Sequence, residues 1–139
     1  MKNKIKEMID ESSSIVLLSH ENPDGDAIGS LIAFYQFLAL INKSVDMISS
    51  KVPTKFNFLN GYDKILIGSK KKYDLAIILD CATKKRIEFG NNNIEFNNSI
   101  VIDHHEGNTK YGNINYIEGK VSSCCQILYY LFKSWNVLF

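Results

Sequence analysis

Three short apolar runs, each leading into an aspartate or a histidine, most constrain the fold of this chain. The runs are rich in β-branched residues and span residues 14–19, 75–79 and 99–102. They lead into His20, Asp80 and Asp103, respectively. Near-continuous apolar runs of this length are typical of parallel strands that are covered on both faces. Since ligands of open α/β sheets bind at the carboxyl ends of the strands, the pattern predicts a site at that edge.

Size and composition restrict the class of protein. The 139 residues fit one domain, and 45% hydrophobic with 22% charged residues is ordinary for a globular protein. A net charge of +1 gives no general attraction to nucleic acid or to an anionic membrane, so any phosphate recognition must be local. No apolar run approaches the length of a membrane span, and the start lacks the apolar stretch of a signal peptide.

The three cysteines include an adjacent pair, Cys124 and Cys125, and none has the spacing of a metal finger. This usage favours reduced thiols over a disulfide framework, so we expect a cytoplasmic protein.

Hydrophobic spacing predicts three helices, over about residues 3–13, over residues 27–40 and from Ser123 to about Trp135. Asp26 stands where the N-cap of the second helix would lie. Further strands are expected at residues 44–48, near 64–67 and near Ile114. The asparagines at 91–93 and 97–98 are expected in loops or turns, and the lysines at 70–72 in an exposed turn. The alternation of strands and helices predicts an α/β fold, a doubly wound, mainly parallel sheet with helices on both faces.

All three histidines lie in two motifs that also carry aspartates. The first is His20-Glu-Asn-Pro-Asp-Gly-Asp26, and the second is Asp103-His104-His105. Each motif alone is compatible with a helix-capping turn or a solvated loop. Together with Asp80 they supply carboxylates and imidazoles that suit two Mn²⁺ or Mg²⁺ ions better than a closed zinc site. Two such ions can share a hydroxide and stabilise its attack on phosphorus, so the residues predict a centre for two metal ions.

These motifs closely resemble the DHH phosphoesterase superfamily, and most of all its RecJ-like nanoRNase and pAp-phosphatase branch. The resemblance extends from about Ile5 to Trp135. It implies that His20, Asp24 and Asp80 bind one Mn²⁺, and that Asp26, Asp80 and His104 bind the other. It further implies that Asp103 orients the site and that His105 contacts the substrate phosphate. Arg86, the only arginine, fits a recurrent basic position, and Gly29 and Ser30 would let neighbouring backbone or substrate come close.

The implied function is Mn²⁺-dependent hydrolysis of short oligoribonucleotides or 3′-phosphoadenosine 5′-phosphate, in which a hydroxide shared by the two metals attacks phosphorus. A relative that cleaves pyrophosphate or polyphosphate with the same ions remains an alternative.

The chain departs from the family pattern at its C-terminal end. The family supplies a later metal-binding aspartate and a C-terminal DHH-associated domain, and residues 1–139 contain neither. We therefore expect an incomplete domain with weak activity, or a remnant that binds metal and nucleotide without turnover. The final helix would then expose an apolar patch and favour a homo-oligomer. The patch would comprise Leu128, Leu131, Phe132, Trp135 and residues 137–139.

Overall fold

The computed structural model describes residues 1–88 and 93–137. Within them, six strands form one sheet: β1 (Ser14–Leu18), β2 (Ser44–Ile48), β3 (Ile65–Leu66), β4 (Lys72–Leu79), β5 (Glu95–Asp103) and β6 (Ile114–Ile117). The three α-helices are α1 (Lys2–Glu11), α2 (Gly25–Leu40) and α3 (Cys124–Ser134). Short 3₁₀ helices occur at Thr54–Phe56, Tyr62–Lys64 and Lys84–Ile87. None of the described helices is long and apolar enough to cross a bilayer.

The strand order is β3-β2-β1-β4-β5-β6, and every neighbouring pair is parallel. Strand β1 is central, because Val16 pairs with Asp46 of β2 on one side and with Ala76 of β4 on the other. The chain runs outward from β1 to β3 and then returns to β4 across β1. The carboxyl ends of β1 and β4 therefore flank the point where the strand order reverses, which is where such sheets bind ligands.

The two faces of the sheet are covered differently. Ile15 and Leu17 of β1 belong to a large apolar cluster that contains the buried side chains of all three α-helices. Val16 and Leu18 face a smaller cluster that includes Ile87 of a 3₁₀ helix and no residue of an α-helix. The α/β class and the parallel sheet are thus confirmed. The expected helices on both faces are not found in the described residues, because short loops and a 3₁₀ helix cover the second face.

Helix ends follow the expected capping chemistry, with one correction. Ser123 is the N-cap of α3, where its Oγ accepts a hydrogen bond of 3.1 Å from the N–H of Gln126. In α2, however, the N-cap is Asp24, whose Oδ1 accepts a bond of 3.0 Å from the N–H of Ala27. The prediction of Asp26 as this N-cap was wrong, because the helix begins two residues earlier and Asp26 lies in its first turn.

Strands β4 and β5 begin earlier than the apolar runs predict. Lys72 and the asparagines at 97 and 98 are strand residues, and Asn98 pairs with Leu75. Pairing with a neighbouring strand therefore overrides the low strand preference of asparagine. Asparagines 91 and 92 lie outside the described residues.

Aromatic residues join α2 to α3. Phe132 contacts Phe34 and Phe37 with ring centroids 5.3 and 4.9 Å apart, and Trp135 lies 5.3 Å from Phe37. Three of the residues expected in an exposed patch are at most 3% exposed, namely Leu128, Leu131 and Phe132. The expected homo-oligomer rested on an exposed apolar patch of this helix. That premise was wrong, because α2 covers the apolar face of α3. Residues 138 and 139 lie outside the described residues.

Candidate metal centre

Loops after three neighbouring strands bring the predicted polar residues together. His20 follows β1, Asp80 directly follows β4, and Asp103 ends β5. A cavity of about 340 Å³ lies at these strand ends. Its lining residues are His20, Asp24, Asp26, Asp80, Arg86, His104, His105, Ser122 and Ser123. The sequence motifs thus converge on one cavity at the predicted edge of the sheet.

Asp80 lies at the middle of this arrangement and is 2% exposed. Its Oδ2 is 3.6 Å from Nε2 of His20, and its Oδ1 is 3.4 Å from Nε2 of His104 and 3.8 Å from Nδ1 of His105. Within the described part of the chain, Oδ1 has no hydrogen-bond partner although it is buried. A buried carboxylate oxygen without a partner is costly, so a cation between Asp80 and the histidines would satisfy it.

The surroundings of Asp80 disfavour its charge when no cation is present. Burial raises the pKa of Asp80, the interaction with the nearby His20 imidazole partly offsets this effect, and the negative charges of Asp26 and Asp24 raise the pKa further. A divalent cation would reverse this balance, because it neutralises several carboxylates at once.

The backbone at Asp80 is also unusual. Its φ is 55°, in the left-handed region, although the residue is not glycine. Its N–H donates to the carbonyl of Ile102 at 3.0 Å, so the turn remains tied to β5. A left-handed residue costs about 1–2 kcal/mol and persists where the surrounding structure holds it, often at functional sites.

His20 is oriented by the backbone of the next residue. Its Nδ1 lies 2.6 Å from the carbonyl oxygen of Glu21, which can only accept, and 3.2 Å from Nη2 of Arg86, which can only donate. The shorter contact favours a proton on Nδ1. Nε2 therefore presents its lone pair, 3.8 Å from Oδ1 of Asp24 and 3.6 Å from Oδ2 of Asp80. The interaction with the nearby carboxylate of Asp80 raises the pKa of His20 against the opposing effect of burial. A proton and a metal ion would use the same lone pair of Nε2.

Asp26 anchors the N-terminus of α3. Its Oδ2 accepts from the N–H of Cys124 at 2.8 Å, and its Oδ1 from the N–H of Cys125 at 2.9 Å. Oδ2 also lies 3.7 Å from Nε2 of His104. Burial alone would raise the pKa of Asp26, but the hydrogen bonds from Cys125 and Cys124 outweigh it and lower the pKa. Asp26 is therefore held ionised beside His104.

Asp103 is fully buried, and both of its carboxylate oxygens contact neighbouring protein groups. Its Oδ1 accepts from the N–H of His104 at 2.8 Å and lies 2.7 Å from Nδ1 of His105. Its Oδ2 accepts from Nδ2 of Asn108 at 2.8 Å. The carboxylate thus fixes the backbone of His104 and the imidazole of His105, which lines the cavity. Sequence analysis missed Asn108, because a single asparagine in a polar loop carries no local signal.

The ligand atoms form two groups within which they lie no more than 4.8 Å apart. The first is His20, Asp24 and Asp80, and the second is Asp80, Asp103, His104 and His105. Asp80 belongs to both. Oxygen-rich sets with imidazole suit divalent cations such as Mn²⁺ and Mg²⁺. The first group matches a predicted ligand set, whereas the second contains Asp103 and His105 and lacks Asp26.

Gly29 and Ser30 do not line the cavity. The Oγ of Ser30 lies 3.3 Å from Sγ of Cys125, and a Cβ on Gly29 would lie 3.2 Å from the same sulfur. These small residues let α2 approach α3, which is a packing role. Close approach of a neighbouring element was one of their two expected roles, and the other, contact with substrate, stays a prediction.

Residues 14–137 match the family described as "DHH family, N-terminal domain". The chain is 30% identical over 125 residues to a protein of Streptococcus mutans named "Probable bifunctional oligoribonuclease and PAP phosphatase NrnA". That match covers 83% of this chain and 37% of the other. The Bacillus subtilis "Bifunctional oligoribonuclease and PAP phosphatase NrnA" is 24% identical over 135 residues, which cover 95% of this chain and 42% of that protein.

A solved structure supports the same fold. An exopolyphosphatase-related protein from Bacteroides fragilis superposes with a TM-score of 0.84 at 24% identity. The match covers 98% of this chain and 44% of that one. The chain thus spans about two fifths of the length of the curated relatives it matches. Because the family match covers most of the sequence, the chain belongs to the DHH family and corresponds to the N-terminal domain of that family.

Proposed function

We propose that this chain binds two divalent cations, Mn²⁺ or Mg²⁺, and is the metal-binding domain of a phosphoesterase. The observation that carries the proposal is the buried carboxylate of Asp80, which lies between His20 and His104 with one oxygen unpaired. Both oxygens face imidazole nitrogens at 3.4–3.6 Å, which is longer than a good hydrogen bond.

Two ligand sets follow from these positions. His20, Asp24 and Asp80 would hold one ion, and Asp26, Asp80 and His104 would hold the other. The first set is supported by the mutual proximity of its ligand atoms. The second is supported by the 3.7 Å and 3.4 Å distances from Nε2 of His104 to Asp26 and to Asp80. Asp26 has further lone pairs for this purpose, since each of its oxygens accepts one backbone N–H.

The chemistry that such cations supply when bound is Lewis-acid stabilisation of a phosphoryl group and activation of water as nucleophile. The chain's own residues would bind and orient the substrate. Arg86 lines the cavity, and its guanidinium offers a fork of N–H donors to phosphate oxygens.

His105 would provide a second phosphate contact. Its Nδ1 is engaged by Asp103, which leaves Nε2 as the ring nitrogen for a contact with phosphate, and the residue lines the cavity. Asp103 therefore acts as a positioning residue and His105 as the group that touches substrate.

The substrates we propose are short oligoribonucleotides and 3′-phosphoadenosine 5′-phosphate. The proposal rests on the names of the relatives from Streptococcus mutans and Bacillus subtilis, which describe oligoribonuclease and PAP phosphatase activities. These names describe whole proteins, and this chain matches only about two fifths of their length. For the 139-residue chain alone we expect slow and poorly selective hydrolysis.

Isothermal titration calorimetry with Mn²⁺, together with Mn²⁺-dependent phosphate release from 3′-phosphoadenosine 5′-phosphate, tests the proposal. We expect a binding heat and slow release for the wild type, and neither for Asp80→Asn. Pyrophosphate and polyphosphate assayed in parallel would reveal the alternative specificity. Absence of any Mn²⁺ heat at millimolar metal would contradict the proposed centre.

A further inference from the structure

The loop between β5 and β6 is fastened to the backbone that follows Asp80. Nδ2 of Asn108 and the hydroxyl of Tyr111 both donate to the carbonyl of Cys81, at 3.1 and 2.9 Å. The N–H of Thr109 donates to the carbonyl of Ala82 at 3.0 Å. The left-handed turn at Asp80 is therefore followed by two peptide groups whose carbonyls are held by this loop.

Asn108 makes a second contact that Thr109 and Tyr111 do not make. Its Nδ2 also donates to Oδ2 of Asp103 at 2.8 Å, while its Oδ1 accepts from the N–H of Lys110 at 2.7 Å. The side chain is 8% exposed, so its donors and its acceptor are all used in a buried place. One amide thus connects the end of β4 to the carboxylate at the end of β5.

We propose that Asn108 is a positioning residue of the metal centre, an inference that rests on the proposed function. Through the Cys81 carbonyl it holds the peptide group that follows the residue after Asp80, and through Asp103 it holds the carboxylate that fixes His104 and His105. This link needs two N–H donors on one rigid group, and the side-chain amide of asparagine supplies both from a single nitrogen. Partners that orient metal ligands in this way typically contribute about 10–100-fold to metal affinity.

Calorimetric titration of Mn²⁺ into four proteins tests the inference: the wild type, Asn108→Asp, Asn108→Ala and Tyr111→Phe. Asn108→Asp keeps the size and the acceptor for Lys110 but removes both donors and places a negative charge beside Asp103. Tyr111→Phe is the matched control, because it removes the other donor to the Cys81 carbonyl and leaves Asp103 untouched. The melting temperature of each metal-free protein is measured alongside.

We expect both Asn108 variants to bind Mn²⁺ about 10–100-fold more weakly than the wild type. Tyr111→Phe should remain within about threefold of the wild-type affinity, even where its melting temperature falls. Asn108→Ala introduces no charge and carries the test if Asn108→Asp does not fold.

Two results would overturn the inference. The first is wild-type Mn²⁺ affinity in both Asn108 variants. The second is a loss of affinity in all three variants in proportion to their losses of melting temperature, which would make the loop only a stabiliser of the fold. A wild-type chain that binds no Mn²⁺ would overturn the proposed function itself, and the inference with it.

Discussion

The Oδ2 atom of Asp26 accepts a hydrogen bond of 2.8 Å from the N–H of Cys124, although 98 residues separate the two in the chain. With the matching bond from Cys125, this carboxylate lies at the N-terminus of α3, where the helix dipole favours negative charge. Asp26 thereby joins the first turns of two helices beside the proposed metal ligands. A change at this residue should affect both the fold and the site.

The variant Asp26→Ala should lower the free energy of unfolding of the metal-free protein by about 2–3 kcal/mol, because it removes two charge-assisted hydrogen bonds. Urea denaturation measures the change. Asp24→Ala is the control: this carboxylate is largely exposed and accepts one N–H bond, so its loss should cost about 1 kcal/mol. Equal losses in the two variants would show that the anchoring of α3 adds nothing beyond an ordinary cap.

The same anchor predicts a pH dependence. The pKa of Asp26 is lowered in the folded protein, so its contribution is present above the unfolded pKa and is lost as pH falls through the folded pKa. The difference in melting temperature between the wild type and Asp26→Asn should therefore shrink below about pH 4. Metal-free samples scanned from pH 6 to lower pH provide the measurement. A difference that stays constant over this range would contradict the assigned role.

Asp80→Asn should raise the melting temperature of the metal-free protein while abolishing stabilisation by Mn²⁺. The pKa of Asp80 is raised by burial, so its ionised form destabilises the fold near neutral pH. Asparagine removes that charge and tolerates the left-handed backbone. The wild type regains this stability as pH falls through the raised pKa of Asp80, because the carboxyl is then neutral. The difference in melting temperature between Asp80→Asn and the wild type should therefore be largest near neutral pH.

Thermal melts with and without Mn²⁺ test this prediction for Asp80. Asp63→Asn is a suitable control, because its side chain is 78% exposed and lies outside the proposed ligand groups. It should leave both the melting temperature and the response to Mn²⁺ unchanged. Stabilisation of Asp80→Asn by Mn²⁺ to the wild-type extent would remove Asp80 from the centre.

Arg86→Gln should raise the KM for a phosphate ester by about 10–100-fold, since a charge-assisted hydrogen bond contributes about 1.5–3 kcal/mol. Mn²⁺ affinity should not fall. Nη2 of Arg86 lies 3.2 Å from Nδ1 of His20, so the substitution removes a positive charge that repels a cation bound nearby. Steady-state kinetics and calorimetry separate the two effects. Lys84→Gln, in the same 3₁₀ helix but outside the cavity lining, should leave KM unchanged. An unchanged KM in Arg86→Gln would exclude Arg86 from phosphate binding.

Phe132→Ala should destabilise the fold by about 3–5 kcal/mol, because the ring is 3% exposed and packs between Phe34 and Phe37 of α2. Tyr130→Ala, on the same helix but 48% exposed, should cost less than about 1 kcal/mol. Chemical denaturation of the two variants gives the comparison. Similar costs would mean that the contact between α2 and α3 contributes little.

Local sequence predicts the strand ends and the residues that gather there, because an apolar run and the polar residue after it share one short segment. The N-cap of α2 could not be assigned this way, since Asp24 and Asp26 are both good capping residues in one turn. The burial of Phe132 depends on α2, almost a hundred residues earlier in the chain. The partners of Asp26 and Asn108 are equally remote, so no periodicity or local motif reveals them.

The link between Asp26 and α3 also bears on how the molecule reaches its native state. Parallel neighbours such as Ile15 and Leu75 pair only after a long intervening segment has been closed, and such topologies fold slowly. A growing chain that ends at His105 already contains every proposed ligand, yet Asp26 still lacks the two N–H groups that hold it in place. Asp26 can therefore be anchored only after the chain has been made as far as α3, so no single segment contains the whole support of the centre.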